Sequence, residues 1–291
     1  MVIKMSYEFE KMSGFHKLES LWKIGYKAIT MEPFLTKGVS DELREDIGDK
    51  LGKTLPKTDL DAVPLVMEDK AILTGNAMKG IFRHLLSAQL TQANIKVCVQ
   101  EVKVRPSEGE GDKKPAEKLK ELGRLKECKP DNPCFICTWF GTPSRQGALY
   151  FSFLKSKEDL DKILAEEPVP MIALAEDMKA LIAKRGRGRF ALLAPIKEDV
   201  EFQGWVKGEN LSTEIIGAIK EVEDMSEKGF VQFGGYKTRG FGTMRIEILK
   251  IEKYKTVPFQ LEEIYEGPNL KTFLGECQKE YHSLMSRGKK S

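Results

Sequence analysis

A single sheet with helices on one face, an α+β fold elaborated by long loops, is what the sequence predicts. Three observations predict it. Segments with strand and helix patterns alternate irregularly, without the steady strand–helix alternation of a parallel sheet. No repeat of about 20 to 50 residues is visible, which disfavours solenoids and propellers. The chain has 291 residues, 41% of them hydrophobic, enough for a core that folds without disulfide staples.

The elements follow in order. Residues 18–30, LESLWKIGYKAIT, alternate loosely and are rich in aromatic and β-branched types, so a strand is expected. The stretch from Glu32 to Asp61 is polar and carries Pro33, Gly38, Gly48, Gly52 and Pro56. It reads as a long loop with a short helix around DELREDIGDKL. Ile72-Leu73-Thr74-Gly75 reads as a strand end and turn. Met78, Ile81, Phe82, Leu85, Leu86 and Leu90 then recur at helical spacing, predicting about four turns with Asn76 as N-cap. Residues 101–127 are charged and are expected to form a surface loop and a short exposed helix. A strand is expected over Gly147–Leu154, then a helical or irregular insertion over 156–183, broken by Pro168 and Pro170. Two strands flank Pro195, a helix covers Thr213–Met225, and a glycine-rich turn lies between strands. The tail reads as polar and mildly basic. One domain over 1–291 is expected, with insertions at about 32–61, 98–140 and 156–205.

Charge and cysteine usage narrow the function. Forty-seven basic and forty-four acidic residues give a net charge of +3, so any nucleic-acid contact must come from local patches. No apolar run reaches the eighteen residues of a membrane span. The first residues carry charges and no apolar core, so no secretory leader is expected and the location is cytoplasmic. Five cysteines in a reducing compartment suit metal better than disulfides. The spacing Cys128-x5-Cys134-x2-Cys137 places three thiolates for a structural zinc ion. Cys98 or His84 would be the fourth ligand. A redox pair is the rival, but its usual strand-then-helix setting is not apparent.

Three segments suit phosphate. Gly234-Gly235-Tyr236-Lys237-Thr238-Arg239-Gly240-Phe241-Gly242 combines backbone freedom, two cations and two flat rings, a combination fit for RNA. An ordinary glycine-rich hairpin is the alternative. Lys79 and Arg83, four apart and close behind a helix start at Asn76, form a second candidate, against a plain solvated helix. Arg185, Arg187 and Arg189 alternate with glycine and would share one face of an extended strand, against a solvated basic loop. Asp59 and Asp61 could hold Mg²⁺ or Mn²⁺ or orient a 2′-hydroxyl beside an RNA backbone. No GxSxG or HExxH occurs, which sets aside serine- and zinc-hydrolase readings.

TGNAMKGIFR, CFICTWFGTPSRQGALYFS and GGYKTRGFGTM, in that order, resemble the RAMP superfamily of CRISPR-associated proteins, in particular the backbone subunits of type III effector complexes. The resemblance implies a ferredoxin-like or RRM-like core that self-associates along CRISPR RNA beside other RAMP subunits. It also implies a thumb, at residues 165–205, that pushes through the guide–target duplex. It implies cleavage of complementary target RNA by an aspartate, for which Asp61 is the nearest match and Asp59 the rival. The sequence departs from the family's paired serines at Asn76-Ala77, where the Asn76 amide can still donate to phosphate. A non-cutting structural or capping subunit is the alternative. A free-standing repeat-processing nuclease ranks last, because no histidine sits in a convincing site.

Overall fold

The computed structural model describes residues 17–36, 38, 45–49, 60–95, 97–98, 128, 132–142, 145–173 and 189–288, leaving aside the side chains of 61, 172–173 and 189–191. The expected short helix in the early insertion is represented by residues 45–49, which are helical.

The fold is organised around β1 (Ser20–Thr30), which pairs antiparallel with β10 (Met244–Thr256) on one side and β9 (Glu201–Glu209) on the other. β11 (Phe259–Tyr265) extends the sheet beyond β10. On the far side β9 pairs with both β5 (Leu149–Phe151) and β6 (Leu154–Ser156), followed by β4 (Lys70–Leu73) and β3 (Val66–Met67). The strand expected over 147–154 is thus split in two. Ser152 causes the break, because its Oγ accepts from the Trp205 N–H at 2.8 Å and displaces a regular ladder bond. A small second sheet holds β2 (Leu60–Ala62), β8 (Arg189–Leu193) and β7 (Val169–Ala173). β7 lies where a helical or irregular insertion was expected. Its pairing with β8 overrides the strand-breaking tendency of Pro170.

Helices cover one face of the large sheet. Trp22, Ile24, Tyr26 and Ala28 of β1 join one buried cluster with Met78, Phe82 and Leu86 of α1 (Gly75–Gln92). The same cluster takes Ile215, Ile219 and Val222 of α4 (Thr213–Glu227), and Leu270, Leu274 and Tyr281 of α5 (Gly267–Gly288). Each such aliphatic side chain contributes about 1.5–3 kcal/mol by leaving water. α2 (Phe135–Phe140) and α3 (Leu160–Ile163) are short connecting turns. The opposite face stays open, with Lys23, Gln203, Lys207, Arg245 and Glu247 exposed.

α5 occupies the tail that was read only as polar. Its buried residues Leu270, Leu274, Cys277, Tyr281 and Leu284 recur at three- and four-residue steps, the pattern of an amphipathic helix. Their wide spacing among charged residues masks the stripe in a composition reading. α5 lies against α4 so closely that a β-carbon on Gly217 would sit 2.1 Å from the Cys277 carbonyl oxygen. Gly275, by contrast, has nothing within 4 Å of that position. We expect Gly217→Ala to destabilise the protein by about 1–3 kcal/mol or more through overpacking. Gly275→Ala should stabilise it by about 1 kcal/mol through helix propensity. Urea denaturation measures both, and equal effects at the two sites would contradict this packing.

Candidate nucleic-acid interface and metal centre

The glycine-rich segment leads into β10. It is held at its base by Phe233 N–H donating to the Gly242 carbonyl at 2.8 Å, and by the Glu32 carboxylate, which accepts from the Thr243 hydroxyl and N–H. Tyr236 takes a left-handed conformation with φ +57°, and Lys237–Arg239 form a single 3₁₀ turn. Two of the glycines are required by the chain itself. A β-carbon on Gly234 would lie 2.3 Å from the Leu35 carbonyl oxygen, and one on Gly242 would lie 2.0 Å from that of Phe233. Gly235 is different, since its nearest neighbour would be 4.0 Å away and the residue is exposed.

A strap of four residues, 33–36, joins this loop to the start of α1. Gly242 N–H donates to the Pro33 carbonyl at 2.9 Å and Gly235 N–H to the Leu35 carbonyl at 3.0 Å. The Thr36 hydroxyl donates to the Ile72 carbonyl at 3.2 Å and accepts from Leu65 N–H at 2.9 Å. Two residues after Ile72, Thr74 caps α1, its hydroxyl accepting from Ala77 N–H at 3.3 Å. The cap is therefore Thr74, not Asn76. A hydroxyl at the end of β4 is already positioned for the first free N–H, and Asn76 is left exposed in the first turn.

Cations gather at these two segments. Lys79 and Arg83 are half-buried on α1, and no carboxylate among the described residues pairs with either. Burial, and then the Arg83 charge, push the Lys79 amine below its usual range. The Nε of Arg83 is buried without a hydrogen-bond partner. Burial likewise lowers the Lys237 amine, while Arg239 is exposed. The first turn of α1 contains no acidic residue. An arriving phosphate would restore to these amines the stabilisation they lose by burial.

The two rings of the loop have different roles. Phe241 is buried with Leu35, Ala62 and Leu193, so it anchors the loop instead of offering a stacking face. Tyr236 is half-buried, packed on the edge of that cluster with its ring centroid 6.1 Å from that of Phe241. The Phe241 cluster also connects the loop to β2. Asp61, expected in a loop, is the central residue of β2, at a register shift between the pairs Leu60↔Leu192 and Ala62↔Leu193. Asp59, Arg185 and Arg187 lie outside the described residues. Arg189 opens β8, with its backbone opposite Ala173. Thr36 and Glu32, which tie the interface together, were missed by the sequence reading. Their partners are remote in sequence, so no local spacing signals them.

The structure brings Cys98, Cys128, Cys134 and Cys137 together, with all four sulfurs within 4.8 Å of one another. His84 is exposed on α1 and is not part of this group. Cys98 N–H points to the Cys134 sulfur at 3.5 Å and Cys134 N–H to the Cys128 sulfur at 3.4 Å. Such donors favour thiolates. Burial alone would raise the Cys134 thiol, but the backbone donors of Cys98 and Cys137 bring it below its ordinary value. Zinc–sulfur bonds of about 2.3 Å place tetrahedral sulfurs about 3.8 Å apart, so this donor set can hold such an ion.

The family model of the RAMP superfamily matches residues 27–245, which span β1, α1, the cysteine cluster and the glycine-rich loop. The chain belongs to that superfamily, whose members are CRISPR-associated, bind CRISPR RNA and act in multi-subunit complexes. No curated protein matches it. Among the described residues, no helix is long and apolar enough to cross a membrane.

The fifth cysteine gives an internal control. Cys277 is buried in α5 and burial pushes its thiol up to about 12. We expect a thiol reagent at mildly alkaline pH to modify Cys98, Cys128, Cys134 and Cys137 only after a chelator is added. Cys277 should react only on unfolding. Mass spectrometry of labelled peptides reads this, and four freely reactive thiols before chelation would contradict metal binding.

Proposed function

We propose that the chain is a backbone subunit of a type III effector complex, gripping CRISPR RNA and cleaving complementary target RNA once assembled. The observation that carries this reading is the set of cations Lys79, Arg83, Lys237 and Arg239, none paired with a carboxylate among the described residues, on two segments bound by one strap. The order β10-β1-β9-β6, with α1 and α4 as crossover helices, supports a ferredoxin-like, RRM-like core. The β7–β8 pair supports a thumb at 165–205. Zinc is the ion we assign to the four cysteines, where it cross-links residue 98 to 128–137 and adds folding energy.

RNA carries its own nucleophile, the 2′-hydroxyl beside each scissile phosphate. A protein can therefore cleave it by enforcing in-line geometry and easing proton removal. We assign to Asp61 the orientation of that hydroxyl and the acceptance of its proton, with Asp59 as the rival. The register shift of the β2–β8 ladder at this position supports this, since such irregularities are over-represented next to active sites. Either aspartate could also hold the Mg²⁺ or Mn²⁺ that would steady the scissile phosphate.

Two expectations follow. Replacing Lys237 and Arg239 together by alanine should weaken RNA binding irrespective of sequence, and reduce the salt slope by about one per lost contact. An unchanged slope would place the loop away from RNA. In the complex assembled with guide and target, Asp61→Asn should abolish cleavage while binding stays within a few-fold of wild type. Products should carry 2′,3′-cyclic phosphate ends at regular spacing, and adding Mg²⁺ or Mn²⁺ to metal-free complex tests the ion requirement. Loss in Asp59→Asn instead would move the role two residues upstream. No cleavage by the wild-type assembly would leave a scaffold or capping subunit.

A further inference from the structure

The face of the sheet opposite the helices carries a second concentration of cation and aromatic groups, separate from α1 and the glycine-rich loop. Lys23 of β1 stands directly opposite Lys207 of β9, and one step along the same pair of strands Gly25 stands opposite Trp205. Like charges facing each other across a ladder are destabilising. Lys23 and Lys207 are both exposed, and neither forms an ion pair with a carboxylate among the described residues. Glu252 stands opposite Lys23 in the β1–β10 ladder, and Lys250, with a smaller contribution from the Lys23 charge, holds its carboxyl below the usual range, but each carboxylate here has a nearer partner. Glu247 pairs with Lys27 at 2.9 Å, Glu252 with Lys250 at 2.8 Å, and Glu209 accepts from the Tyr150 hydroxyl at 3.1 Å.

Trp205 is the centre of the patch. Its indole is half-buried, with the Lys207 amine 4.4 Å from the ring centroid. The position opposite is a glycine that packing does not require, since a β-carbon on Gly25 would meet only the Lys250 carbonyl at 3.8 Å. A side chain there would project over the open face beside the indole. Tyr150, on β5 and opposite Lys207, adds a second ring on the same face. A half-buried indole, a neighbouring phenol and two exposed lysines are a combination that suits single-stranded RNA. Bases stack on the rings and phosphates satisfy the amines.

We propose that the open sheet face around Trp205 is a second RNA-binding surface, taking a few stacked bases of a single strand. The proposal rests on the reading of the chain as an RNA-binding protein but not on the first interface. Trp205 stacks a base, Tyr150 flanks it, and Lys23 and Lys207 neutralise the phosphates on either side. The surface would hold an unpaired stretch of guide or target next to the gripped segment.

The chain carries its own reporter. Its other tryptophans, Trp22 and Trp139, are only 7% and 4% exposed, so a ligand on this face alters chiefly the Trp205 emission. Intact protein is titrated with an oligouridylate of about ten nucleotides, reading tryptophan emission and, in parallel, the anisotropy of labelled RNA. We expect saturable quenching that salt reverses. Trp205→Ala should abolish the quenching and weaken binding between about fivefold and about a hundredfold, while Trp205→Phe loses the signal but keeps most of the affinity. The double change Lys23→Glu, Lys207→Glu should weaken binding by at least about tenfold. Quenching should persist in a variant with Lys79, Arg83, Lys237 and Arg239 all changed to alanine. Binding by anisotropy without any change in tryptophan emission would overturn the proposal and leave the first interface standing. Absence of binding by either readout would overturn both. Trp205 shielded from acrylamide in a nuclease-treated assembly would mean that a protein covers the face, and would also overturn it.

Discussion

No β-carbon can be placed at residue 234, because the Leu35 carbonyl oxygen would lie 2.3 Å from it. That close approach lets the strap at 33–36 run beneath the glycine-rich loop and hydrogen-bond with it on both sides. Thr36 then passes the constraint to Ile72 and Leu65, and through the end of β4 to the cap of α1. Two cation-bearing segments far apart in sequence are thereby fixed to one scaffold without any direct bond between them. A fixed spacing of cations matters for RNA, whose phosphates repeat at set intervals, and a pre-organised pair avoids ordering costs on binding.

The sheet sets the remaining geometry. β1 lies between β10 and β9, so the end of β1 delivers the strap while the start of β10 delivers the loop, with Met31 N–H bonded to the Thr243 carbonyl at 2.9 Å. The inward residues of β1 bind three helices into one core, which leaves the outward residues free. Lys79 and Lys237 are held partly buried, with no carboxylate paired to either among the described residues. Such amines carry an electrostatic cost that an anionic partner removes, whereas an ordinary solvated lysine gains little from one.

Legibility in the sequence followed the range of the interaction. β1 and α1 were readable because their patterns are local and strong, as was α4. The cysteine set could be assembled because thiolate chemistry narrows the choice of partner, although only the fold separates Cys98 from His84. The cap of α1 was misplaced by two residues, since Thr74 and Asn76 are both good caps and only the end of β4 decides between them. α5 was overlooked because its stripe is thin among charged residues. Phe241 looked like a stacking ring beside Tyr236, yet its burial against Leu35, Ala62 and Leu193 depends on the strap, β2 and β8, three distant parts of the chain. The roles of Thr36 and Glu32 have no local signature at all.

Membership of the RAMP superfamily and the geometry of the strap support the proposal that RNA lies across the glycine-rich loop and the start of α1. Ultraviolet cross-linking of the protein to bound RNA, followed by mass-spectrometric mapping of the adducts, tests it most directly. The account predicts adducts on the peptide containing Tyr236 and on the peptide spanning residues 76–83. Efficient cross-linking with neither peptide modified would contradict it.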